Sequence, residues 1–171
     1  MKRKGNNRGA MEMSFGMIFS IILIIFFLSF AFFGIRAFLK VQDTAKTTKF
    51  INDFKADVER VWKSSETSTP PKEYYLPSGK EKVCFVDFSA SGSGINDDIY
   101  NDLERAYSGS ENMVFYPVNF EDVESVKVNY INIEEMTNDE NPFCINVVNG
   151  KVKLRLTKDI SDASVTVERA D

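Results

Sequence analysis

The chain has 171 residues, enough for one domain and a further short segment but not for two full domains. It has no histidine and only two cysteines, which excludes histidine triads, histidine proton shuttles and a cysteine-only structural zinc site within one chain. A net charge of −4 argues against nucleic acid as a partner.

Residues 1–13 form a basic leader carrying Lys2, Arg3, Lys4 and Arg8. From Ser14 to Ile35 there follow 22 uncharged residues, SFGMIFSIILIIFFLSFAFFGI, holding seven of the 15 phenylalanines. At ~1.5 Å per residue this run spans a hydrocarbon layer of ~30 Å as a helix. A buried core helix of that length would show a polar stripe, and only Ser20 and Ser29 interrupt the middle of this one. The competing reading is a cleavable signal peptide ending at Ser29-Phe30-Ala31. Against it, the apolar run continues through Phe32, Phe33 and Ile35, where a polar mature start is usual. Basic residues flank both ends, with Arg36, Lys40, Lys46 and Lys49 after the span, so the positive-inside rule nearly ties. The short N-terminal tail and the placing of both cysteines after the span favour a cytoplasmic N-terminus and an extracytoplasmic C-terminal domain in the cell membrane.

The chain after the span holds 17 of the 21 basic and 24 of the 25 acidic side chains, a net of −7. Such a domain is poorly suited to anionic lipid or nucleic acid. Residues 36–66 read as an amphipathic extension of the same helix, with a bend allowed at Gly34. Ile51, Phe54, Val58 and Val61 recur at three- and four-residue steps, with Trp62 beside them. Glu59 and Lys63 form an i,i+4 pair in the favoured order. Helix and span together would make a rod on the order of 80 Å long.

Residues 67–171 read as a β-rich domain. Ser64 to Pro71 stops the helix and forms a loop. Lys82–Phe88 alternates as a strand, Ser89–Gly94 is a flexible loop, and Asp97–Tyr107 is a short helix with Asn96 as its N-cap. Met113–Tyr116 and Ser125–Ile133 are further strands, the latter with Val126, Val128 and Tyr130 on one face. Phe143–Val148 and Lys151–Thr157 flank Asn149-Gly150, the composition of a two-residue hairpin. Ser164–Glu168 is the last strand. The fold class is therefore α+β: a long N-terminal transmembrane helix, extended by an amphipathic helix and packed on a small antiparallel sheet.

Cys84 and Cys144 each fall in the middle of a strand. Two readings stand, a disulfide closing a loop of about 60 residues or two buried thiols, and an external domain favours the bond. No C-x-x-C redox motif is present. Ser89–Gly94 lacks the third glycine of a dinucleotide loop and the Gly-Lys-Ser/Thr of a P-loop, and reads as a plain loop. Asn96-Asp97-Asp98 with Asp102, and Glu134-Glu135 with Asp139 and Glu140, match no calcium-loop spacing and read as solvated charge. Lys151, Lys153 and Arg155 share one strand face, read as the solvent side or a protected edge strand. The sequence thus assigns no catalytic residue, no cofactor and no metal site.

Lys2-Arg3-Lys4, Arg8-Gly9-Ala10-Met11-Glu12, a Phe/Ile-rich run, an amphipathic extension and a β domain together resemble type IV pilin-like proteins, in particular archaeal ones with a class III signal. The run MEMSFGMIFSIILII is also similar to single-span archaeal membrane proteins of uncharacterised role. The pilin resemblance implies cleavage by a prepilin peptidase after Gly9, leaving Ala10 as the new N-terminus. It implies an assembly role for Glu12, whose carboxylate would pair with a neighbouring subunit's amine. The partners it implies are the lipid bilayer and other copies or pilin-like subunits meeting through the N-terminal helix. Cutting after Gly9 makes Glu12 third in the mature chain, whereas the family pattern has its acid fifth. From sequence, the expectation is a membrane-anchored envelope or structural protein without catalysis. The alternative is an uncleaved anchored accessory or ligand-binding domain.

Overall fold

A computed structural model describes residues 15–64, 68–107, 109–118 and 125–170. The chain divides into two compact units, 1–41 and 42–171, and each is described by itself. Helix α1, Phe15–Lys63, begins in the first and ends in the second. It is helical without interruption through Gly34.

In the first unit the α1 side chains from Phe15 to Val41 are exposed. The two serines in the apolar run satisfy themselves locally. Ser20 Oγ donates to the Gly16 carbonyl and Ser29 Oγ to the Ile25 carbonyl, each at 2.8 Å. Each hydroxyl proton is thereby satisfied within the helix, with no need of water. Arg36 lies over the Phe32 ring, 4.3 Å from its centroid.

In the second unit α1 becomes one wall of a core. Phe50, Phe54, Val58 and Val61 are buried, with Thr47 and Asp57 beside them. The buried stripe therefore includes Phe50, and Ile51 from the expected stripe is only half-buried at its margin. The helix ends where Ser64 donates its backbone N–H to Arg60 and its hydroxyl to Val61.

The β domain has two antiparallel sheets where the sequence predicted one. The first runs β1 (Lys72–Tyr75), β6 (Lys151–Thr157), β7 (Thr166–Arg169). The second runs β4 (Ser125–Val126), β3 (Met113–Tyr116), β2 (Lys82–Phe85), β5 (Phe143–Asn146). Each sheet presents a face to the α1 core: Tyr74, Val152, Leu154 and Leu156 from one, Val83, Phe85, Met113 and Phe115 from the other. The reverse face of the second sheet is covered too. Helix α2, Asp97–Ala106, lays Ile99, Tyr100 and Leu103 over Cys84, Val86, Val114 and Cys144. This double cover explains the sequence pattern. KVKLRLT of β6 alternates because one face meets solvent, whereas KVCF and MVFY run apolar because both faces are buried.

Asn149-Gly150 does form the tight turn, with φ of 54° and 70° and reciprocal bonds between Val148 and Lys151 of 2.8 and 3.0 Å. Its flanks do not pair beyond that bridge. β5 joins β2 in one sheet and β6 joins β1 and β7 in the other. The turn is thus a corner between sheets, and an Asn-Gly signal fixes only the local reversal, not what the emerging strands bond to.

Ser125–Ile133 is a strand only at Ser125–Val126. Beyond it the Asn112 side chain takes both backbone groups of Val128, accepting its N–H at 2.7 Å and donating to its carbonyl at 2.9 Å. That substitutes for a strand partner and buries Val128. Tyr130 then enters the left-handed region, φ 65°, and is exposed, whereas Val128 is buried. A short helix, α3 (Ile133–Met136), follows; Asn132 caps it by accepting the Glu135 N–H and donating to the Glu135 carboxylate.

Candidate functional site

Two features carry the candidate function: the apolar part of α1 and the covalently tied domain. Helix α1 is long and apolar enough to cross a membrane, and none of its apolar window is buried among the described residues. The residues from which an assembly role was expected, Gly9, Ala10 and Glu12, lie outside the described residues.

Cys84 and Cys144 are bonded. They are direct partners across β2 and β5, with Cα atoms 4.0 Å apart, closer than the spacing of a hydrogen-bonded pair. The bond sits under α2 and is closed to solvent. It closes a loop of 60 residues. In the chain-entropy account that is worth about 4 kcal/mol.

The acidic stretches remain separate. Asp97 and Asp98 open α2, where their charge suits the positive helix end. Glu134 and Glu135 lie in the first turn of α3. Glu140 is buried and paired with Arg169. Among the described residues no group of three or more metal-ligating side chains converges. Lys151, Lys153 and Arg155 do lie on the solvent face, but β6 is the central strand of its sheet and not an edge. Lys151 pairs with Glu73 at 3.1 Å and Arg155 with Glu168 at 4.0 Å, so the stripe is neutralised across strands. The Glu73 hydrogen bond raises the Lys151 pKa.

Asn96 is not a side-chain N-cap. Its amide turns inward, accepting from Lys82 and donating to Glu140. The Ser/Gly loop 89–94 is ordered by a residue far away in sequence. Buried Asn141 donates to the carbonyls of Asp87 and Ser91 and accepts the Asp87 N–H. Gly92 and Gly94 are needed here, because a Cβ would fall 2.5 Å from Asp97 Oδ1 and 2.7 Å from Glu140 Cβ respectively.

Two further groupings had no sequence signal beyond residue type. Asp57, buried on α1, accepts from Tyr74 at 2.7 Å, from Arg60 at 3.1 Å and from Lys72. Three donors on one carboxylate meet the cost of burying it. Burial first, and then the Asp57 hydrogen bond, push the Tyr74 hydroxyl well above its ordinary pKa. Trp62, the only tryptophan, stacks on Tyr130 with centroids 3.8 Å apart and donates its indole N–H to the Ala163 carbonyl.

Comparison with family models, curated proteins and solved structures finds no match for the chain.

Proposed function

We propose that this chain is a single-span, pilin-like envelope protein, with its N-terminus in the cytoplasm and its disulfide-tied domain outside the cell membrane. The observation that carries the reading is the contrast along α1. From Phe15 to Ile35 the helix shows apolar side chains on every side, and all of them are exposed among the described residues. Apolar surface of that extent has to meet lipid or other apolar helices. The buried disulfide supports an oxidising surrounding for the domain. Assembly would use the N-terminal helix, with Gly9 as the cut residue and Glu12 as the acid that meets a neighbour's amine, and the domain would supply surface contacts without catalysis. The resemblance that suggests this is to archaeal pilins.

The third-place position of Glu12 after a cut at Gly9 favours a second reading, an uncleaved, membrane-anchored accessory or ligand-binding domain. Intact mass and N-terminal sequencing of the native protein from membranes separate the two. A chain starting at Ala10 supports the pilin-like role, and Glu12→Ala should then block incorporation into an assembly while leaving membrane insertion intact. A start at Met1, or at Lys2 after methionine removal, supports the permanent anchor. A start near Phe32 would overturn both.

A further inference from the structure

Lys82, Asn96 and Glu140 come from three separate parts of the domain: the first residue of β2, the 3-10 turn Gly94–Asn96, and the segment after α3. They meet in a line. Lys82 Nζ donates to Asn96 Oδ1 at 2.9 Å, and Asn96 Nδ2 donates to Glu140 Oε2 at 3.2 Å. Asn96 Nδ2 also reaches the Pro142 carbonyl at 3.5 Å. The other Glu140 oxygen is held by Arg169. Asn96 is 4% exposed and Glu140 9%. The amide orientation is set by chemistry: an ammonium can only donate and a carboxylate only accept, so oxygen faces Lys82 and nitrogen faces Glu140.

An amine against the carbonyl side of a buried carboxamide, with a carboxylate on its leaving nitrogen, is the arrangement needed for transamidation. We propose that Lys82 and Asn96 become joined by an intramolecular isopeptide bond, formed by the folded chain itself with Glu140 as proton carrier. Half-buried Lys82 yields one ammonium proton to solvent. The freed Nζ lone pair adds to Asn96 Cγ, forming the Nζ–Cγ bond and setting Nζ one atom away from Nδ2, beside the Glu140 oxygen that Nδ2 contacts. Glu140 takes a proton from the now cationic Nζ and passes it to Nδ2, the Cγ–Nδ2 bond breaks, and ammonia departs. The ammonia takes up the proton first released to solvent and leaves as ammonium. Charge and atoms balance, no oxidant or cofactor enters, and Glu140 ends as it began. Fixing amine and amide in contact replaces a bimolecular encounter by an intramolecular one, and burial keeps water from competing for Cγ. Arg169 is a positioning residue: it anchors one Glu140 oxygen so that the other points at the leaving nitrogen.

The bond would tie β2 to the turn before α2, closing a loop across 14 residues of sequence. Cys84, two residues along the same strand, ties β2 to β5. One strand would then carry two covalent ties.

The test is the intact mass of the full chain, purified in detergent, followed by tandem mass spectrometry of its tryptic peptides. The expected result is a loss of one ammonia and a branched peptide joining Lys82 to Asn96, with trypsin unable to cut after Lys82. Lys82→Arg should restore the unlinked mass. Glu140→Gln should slow bond formation by about a hundredfold or more. Should Glu140→Gln fail to fold, the wild-type chain and Lys82→Arg still decide the matter. A wild-type chain that keeps its full mass after days at neutral pH while folded overturns the proposal. So does an ammonia loss mapped to a succinimide at Asn149-Gly150 that persists in Lys82→Arg.

Discussion

Phe26 and Phe54 stand on one helix and meet opposite surroundings. Phe26 is 62% exposed, among neighbours that are apolar all round. Phe54 is fully buried, packed against Phe50, Tyr74 and Phe85 at centroid distances of 5.8–6.0 Å. Residue type does not separate them; the company around the helix does. Where apolar residues fill the whole circumference, the helix is suited to an apolar solvent. Where they are confined to a stripe with Lys, Asp and Glu opposite, it is suited to a protein core. Even the polar groups follow this division. Ser20 and Ser29 bond back to their own helix, while Asp57 reaches across to Tyr74 and Lys72 on β1.

The sharpest way to break this comparison is to truncate both rings. Phe54→Ala should cost about 3–5 kcal/mol in the unfolding of the domain, followed in urea by the fluorescence of Trp62. Phe26→Ala should leave that transition where it is. Equal losses in the two variants would mean that the apolar part of α1 is also core. Replacing both Cys84 and Cys144 by Ser should cost about 4 kcal/mol on the same assay, with the fully reduced wild type matching the variant. A change well below that would place the stability of the domain in its packing and not in the tie.

A smaller effect concerns Asp57 and Tyr74. Because the folded-state pKa of Tyr74 is raised, the folded chain holds a proton that the unfolded chain loses above pH ~10. Its contribution to stability is complete below that pH and is lost as pH rises through the alkaline range. Tyr74→Phe should cost about 1 kcal/mol at neutral pH and flatten this alkaline limb, measured as the urea midpoint against pH. An unchanged limb would show that Tyr74 does not govern it.

Some of this was legible residue by residue. The uninterrupted apolar run, the Phe54/Val58/Val61 stripe, the α2 helix and most strand positions follow from period and charge, which local backbone geometry converts directly into faces. The disulfide was one of two open readings and became definite only when the register set Cys84 opposite Cys144. Asn96, read as a cap, shows why candidate sites were harder to see. A short polar side chain has many local partners, and burial beside Lys82 and Glu140 outbids the helix end. The side chains of Asn141 and Asn112 carried no signal at all, since their partners lie 50 or more and 16 residues away respectively.

The sequence by itself determined the apolar helix, its amphipathic continuation, the α+β class and the local reversal at Asn149-Gly150. Each of these rests on interactions within a few residues or on burial of one face. Only the tertiary structure decided that there are two sheets and that the Asn-Gly turn is a corner between them. It alone covered the second sheet on both sides, and it alone brought a lysine, an asparagine and a glutamate into one buried line. Those outcomes depend on which distant surfaces exclude water from one another, a property of the assembled chain and not of any window within it.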